Sequence, residues 1–257
     1  MRRLFFSGLP AMAAALLLWT PAPAPAQTQQ KPPAKPYSPK RLPDGHPDLQ
    51  GNWQPNAIRQ NVDMVGTGVD VPMLPAAQAV YDKRKAALGR EDPEARCLPP
   101  GVPRVNSVGL FPIQIAQLPD QIIFMYEYMN VFRVVPLNKP HPVDLEPSYL
   151  GDSVGHWGGD TLVVDVTSFN DKTWLIGAGT FHSEKLHITE RYRRVNKDRI
   201  DYEAVMEDPE VLTKPWVYRQ TMMLREGTRL REYTCVENNL DPGRYEKLLK
   251  DGVSFDR

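Results

Sequence analysis

The sequence predicts an all-β protein whose main domain is an eight-stranded, up-and-down antiparallel β-barrel. Three observations carry that expectation. Eight strand-like stretches lie between about residues 110 and 237, each rich in apolar residues at the period of two that a pleated strand requires. Tight-turn signals separate them at every second connection: Leu118-Pro119-Asp120, Gly158-Gly159-Asp160, Asn196-Lys197-Asp198 and Arg225-Glu226-Gly227-Thr228. The remaining connections, 135–152, 168–185 and 207–215, are mostly long. In an up-and-down sheet this alternation collects the tight turns at one end and the long loops at the other, giving a cup with a closed floor and an elaborated rim. Closure would make the first and eighth strands neighbours and remove exposed edges. A two-sheet sandwich is the competing arrangement.

Residues 1–26 read as an export signal. Arg2 and Arg3 form a positive start, an apolar run is clearest from Ala11 to Trp19, and Ala24-Pro25-Ala26 supplies small residues before Gln27. The apolar run is far short of the roughly 20 residues a membrane span needs, so no span is expected in the mature chain. Residues 27–47, rich in Pro, Gln and Lys, read as a disordered leader. An N-terminal extension, 48–109, follows. It holds an extended piece around Trp53 and a helix over about 75–89, opened by Pro75, striped by Ala76, Ala79, Val80 and Leu88, and ended by Gly89. The barrel is expected over 110–241 and a tail over 242–257. Its strands are 111–117, 121–134, 153–157, 161–167, 186–195, 199–206, 216–224 and 229–237.

Charge excludes one class of partner. Without Arg2 and Arg3, 29 of the 31 basic residues remain against 31 acidic ones. A nucleic-acid partner would demand a basic balance. Two cysteines in an exported chain permit a disulfide. Cys97 precedes the first strand and Cys235 lies near the end of the last, so in a closed barrel both sit at the rim and their bond would clasp the seam. Two buried thiols are the alternative.

Candidate chemistry lies in two places. On the strands, counting by twos through 121–134 puts Glu127 and Arg133 on one face, opposite Phe124 and Tyr126, as a possible pair in the lumen. In 186–195, Leu186, Ile188, Glu190 and Tyr192 share a face. In 161–167, Asp165 lies opposite Leu162, Val164 and Val166. At the rim, the loop 168–185 carries Asp171, Trp174, His182 and Glu184, and His187 follows at the mouth of the next strand. The histidines titrate near neutrality and Asp171 could orient one of them, which suits acid/base chemistry. His182, Glu184 and His187 also offer metal ligands, although no helix sets their spacing. Capping of loop backbone is the third reading. Arg104 could hold an anion, and Trp174 and Trp216 could stack on a ligand. Gly151-Asp152-Ser153-Val154-Gly155 looks like a G-x-S-x-G elbow but enters a hairpin rather than a helix. No cofactor motif is present, and none is expected.

Three blocks are familiar together: Cys97-Leu98-Pro99-Pro100-Gly101-Val102-Pro103-Arg104; Gly155-His156-Trp157-Gly158-Gly159-Asp160-Thr161-Leu162-Val163-Val164-Asp165 with Phe169-Asn170-Asp171-Lys172-Thr173-Trp174; and Glu232-Tyr233-Thr234-Cys235-Val236-Glu237-Asn238-Asn239. They resemble a large family of exported bacterial proteins without an assigned activity, over roughly residues 41–241. Gly158 stands where that pattern is acidic. A fainter resemblance is to lipocalin-like barrel lyases and isomerases that act on plant-derived aromatics. The expectation is therefore a periplasmic or secreted barrel binding a small, partly aromatic molecule in its lumen. It would be a cofactor-independent lyase or isomerase with His182, His187 and Asp171 as catalytic residues. Arg104, Glu127, Arg133, Trp174 and Trp216 would bind the substrate. A non-catalytic carrier using the same cup is the alternative.

Overall fold

A computed structural model of the chain describes residues 37–56, 71–87, 90–177, 179–237 and 239–252. The expected export signal and most of the expected leader lie outside these residues. The described fold is mostly β, a nine-stranded antiparallel sheet rolled into a nearly closed barrel.

In chain order the strands and helices are β1 (Gly51–Pro55), α1 (Pro75–Ala86), β2 (Ile113–Gln117), β3 (Gln121–Tyr126), β4 (Phe132–Pro136), β5 (Asp152–Gly158), β6 (Thr161–Thr167), β7 (His187–Asn196), β8 (Arg199–Glu207), β9 (Trp216–Leu224) and α2 (Asp241–Lys250). The sheet order is β4-β3-β2-β1-β9-β8-β7-β6-β5. Turn chemistry sets the long hairpins: β5 and β6 are joined through Gly159 and Asp160, and Gly159 adopts φ +62°, where a side chain would be strained.

Three expectations about the strands are corrected. The stretch 121–134 is two strands, because Met129 and Asn130 take φ values of 60° and 49° and turn the chain back on itself. Residues 229–237 form no strand. The short piece at Trp53 is a strand, and it takes the place between β9 and β2 that 229–237 was expected to fill. The sheet instead nearly closes between β4 and β5. There Leu137 and Gly155 form a parallel bridge, and the Asn138 N–H donates to the Gly155 carbonyl at 2.7 Å. A Cβ on Gly155 would lie 3.0 Å from Val135 and 3.1 Å from Leu137. The missing side chain lets the two edges approach.

Helix α1 begins at Pro75 as expected, but it buries Ala77 and Tyr81 while Val80 is exposed. Leu88 and Gly89 lie outside the described residues. The expected tail contains α2. The last part of the expected leader is ordered against the tight-turn end: Arg41 bonds Asp160 at 2.8 Å, and His46 stacks on Trp157 at 4.8 Å.

The cup is filled. Trp53, Phe124, Tyr192, Tyr202 and Tyr218 are among the largest fully buried side chains, within one apolar core. A polar knot sits among them. Arg133 bonds Glu190 at 2.5 Å and Ser153 at 2.8 Å. Tyr192 and Tyr202 donate to the other Glu190 oxygen at 2.9 and 2.7 Å. Asn106, from the 3₁₀ turn Arg104–Asn106 that enters from the long-loop end, donates to the same oxygen at 2.7 Å and accepts from Tyr126 at 3.1 Å. Buried charge is tolerated when it is paired and hydrogen-bonded, as here in all but the Arg133 Nε.

Candidate functional site: a histidine–aspartate chain on the outer wall

The outward positions of β5 to β8, near the long-loop end, hold four titratable groups in a row, Asp152, Asp165, His187 and Glu207. Period two puts Leu162, Val164 and Val166 of β6 inside, so Asp165 points out. By the same count His187 of β7 and Glu207 of β8 face out, and they are register partners. The crossing 137–151, which runs from the end of β4 to the start of β5, lays His141 onto this wall. His141 Nδ1 meets Asp152 at 2.5 Å and its Nε2 meets Asp165 Oδ2 at 2.9 Å. The other Asp165 oxygen takes His187 Nε2 at 2.6 Å, and His187 Nδ1 lies 3.4 Å from Glu207.

One carboxylate thus orients two imidazoles. Partial burial works to raise the Asp165 pKa, but the hydrogen bonds from His187 and His141 win and hold it below the usual carboxylate range. For His141, partial burial favours the neutral ring, and the hydrogen bonds to Asp152 and Asp165 outweigh it, so its pKa lies above the ordinary imidazole value. The chain ends at Glu207, which lines a cavity of about 560 Å³ with Leu74, Asp208, Pro209, Leu212, Thr213, Lys214 and Pro215. Its mostly apolar walls carry one ammonium and two carboxylates, of which Asp208 is already bonded to Ser183.

The residues singled out in the sequence are dispersed. His182 is 2% exposed: Thr173 Oγ1 lies 2.6 Å from its Nε2, and its Nδ1 donates to the Ser183 carbonyl at 2.9 Å. Burial pushes its pKa down, against the Ser183 bond and the charges of Asp208 and Asp171. It is a neutral ring tied into loop 168–185, and no hydrogen bond joins it to His187, whose side chain is 39% exposed. Asp171 and His182 line a cleft of about 510 Å³ that also takes in Glu184 and Arg84. The trio His182, Glu184 and His187 forms no metal site, and no group of three or more potential ligands does so among the described residues.

Arg104 is already engaged. It is bidentate to Asp92 at 2.8 Å, pairs with Glu94 at 2.7 Å, and lies 6.0 Å from the Trp174 ring. Burial lifts the Glu94 pKa to about 7, with Arg104 pulling the other way. Trp174 and Trp216 are buried, 3% and 4% exposed. Glu127 accepts the Arg231 N–H at 2.7 Å and does not pair with Arg133, whose partner is Glu190. The disulfide between Cys97 and Cys235 is present, with its Cα atoms 5.6 Å apart. It anchors the C-terminal segment rather than a seam between strands.

His141, Asp152 and the role of Asp165 escaped the sequence reading. The signal available was Asp165 itself, an acid facing away from three apolar neighbours and one strand before a histidine. His141 sits in a long connection, and no periodicity locates it. No family model matches this chain, and none of the curated proteins searched matches it.

Proposed function

We propose that the protein is an exported acid/base enzyme, of lyase or isomerase type, acting on a small, partly aromatic acid held at the outer wall. The observation that carries the reading is Asp165, bound to two imidazoles and continuous through His187 and Glu207 with a cavity. In this arrangement the His187 Nε2–H donates to Asp165, which leaves Nδ1 as the basic atom next to the cavity. A ligand displacing Glu207 from Nδ1 would present a proton there, and Asp165 would stabilise the imidazolium that forms. Lys214 would hold the ligand's carboxylate. The chemistry needs no redox cofactor. The disulfide supports an oxidising compartment, consistent with export.

The site moves from the lumen to the wall because packing fills the lumen with side chains. Screening the purified protein against aromatic dimers and aromatic acids, with product read by mass, is the test. Turnover should fall by about 10²-fold or more in His187→Ala, the usual scale for losing a general base. Wild-type turnover in a folded His187→Ala protein contradicts the reading.

A second reading has its own observation: both nitrogens of His141 are engaged, so the chain also works as a clamp fastening 137–151 to the sheet. A pure clamp lowers the melting temperature in His141→Ala and shows no turnover of any candidate.

A further inference from the structure

The outer face of β6 to β9, toward the tight-turn end, carries another depression of about 690 Å³, which begins four positions along the strands from the His–Asp chain. Cross-strand register builds it. Arg191 of β7 faces Glu203 of β8, which faces Arg219 of β9, and one step along Arg193 faces Asp201. Arg199 opens β8 beside them. The outward positions of three adjacent strands therefore present four guanidiniums and two carboxylates in one hollow.

The carboxylates do not balance them. Glu203 is shared, bonding Arg191 at 3.3 Å and Arg219 at 2.7 Å. Asp201 pairs with Arg199 at 3.0 Å. Among the described residues Arg193 makes no ion pair. A hollow with excess positive charge focuses the field and concentrates anions. Isolated surface pairs contribute little to stability, so folding alone gives little reason to gather these arginines.

We propose that this hollow binds an acidic oligosaccharide, its carboxylates on the guanidiniums and its hydroxyls on the two acids and on Thr161 and Thr221. The geometry favours a chain of charges over one anion. Strand spacing puts Arg191 and Arg219 about 10 Å apart, and strand rise puts Arg191 and Arg193 about 7 Å apart. That separation suits carboxylates recurring along a uronic-acid chain. The guanidinium fork matches a carboxylate bidentately. Glu203 and Asp201 accept from sugar hydroxyls, whereas a phosphate backbone offers them only repulsion. No exposed ring in the hollow serves as a stacking platform for bases.

The test is calorimetric titration of the intact protein with oligogalacturonate at low salt, beside neutral dextrin, inorganic phosphate and a short single-stranded DNA. Binding of oligogalacturonate alone is expected, weakening as salt rises. Arg193→Glu should weaken it at least tenfold with an unchanged melting temperature, and Arg191→Ala with Arg219→Ala should do the same. Absence of oligogalacturonate binding by the wild type overturns the proposal. So does equal affinity in Arg193→Glu, or tighter binding of the DNA or of phosphate. His187→Ala should leave this binding intact, which keeps the result independent of the acid/base site.

Discussion

Arg133 and Glu190 meet inside the barrel with 3% and 0% of their side chains exposed, and tyrosine hydroxyls bond to both, while the Arg133 Nε has no partner. Removing one partner strands the other charge in an apolar interior. Arg133→Met should cost about 3–5 kcal/mol, read as a lower midpoint in urea unfolding at unchanged slope; a loss below about 1 kcal/mol would mean that water reaches the site. Counting by twos put Arg133 in the lumen, where it lies, but paired it with Glu127 and set Phe124 and Tyr126 opposite, because the count ran through the break at Met129 and Asn130. After the break Arg133 faces inward beside Phe124, its register partner. Where no break intervened, on β6 and β7, the same count sorted the faces as observed. The outer chain makes a pH prediction at this scale. His141 gains a raised pKa on folding, so its contribution is full below the unfolded value near 6.5 and fades as pH rises through the folded value. Asp165 has a lowered pKa, so its contribution is present above about 3.9 and is lost as pH falls through the folded value. The clamp should therefore stabilise most between about pH 4 and 6.5. Melting curves across pH, compared with those of Asp165→Asn, should converge as pH falls below that window.

At the scale of elements, the near-closure depends on Gly155. Its φ is ordinary, so Gly155→Ala tests sterics alone. The added methyl meets Val135 and Leu137 at the meeting of β4 and β5, and the expected cost is about 1–3 kcal/mol. Hydrogen exchange should quicken first at Asn138, whose N–H bonds across that junction. The Cys97–Cys235 bond acts on a different element. It closes a span of 138 residues and holds the segment in which Tyr233 packs on Phe111 and Tyr128. Replacing both cysteines by serine should cost about 3–5 kcal/mol by the chain-entropy argument, with the barrel strands still formed by circular dichroism. Both cysteines stood out in the sequence. Their role did not, because the segment before Cys235 has a strand-like pattern and yet joins no strand among the described residues, its backbone bonding to the Glu127 and Asn130 side chains instead.

At the scale of the molecule, the hairpins from β5 to β9 and the general roll of the sheet were legible, since glycine turns and period two act locally. Closure was not. The five-residue strand at Trp53 reads as an extended piece, but nothing local shows that it pairs with β2, 58 residues downstream, and the 3₁₀ turn that plugs the barrel with Asn106 is too short to have a period. Those long-range insertions convert an apparent cup into a packed core, which is why the proposed site lies on the outer wall. Shift-perturbation mapping by NMR with a panel of aromatic acids tests that relocation most directly. Perturbations should concentrate on His187, Glu207, Thr213 and Lys214. Perturbations confined to Asn106, Tyr126, Tyr192 and Tyr202, or none from any compound, would contradict it.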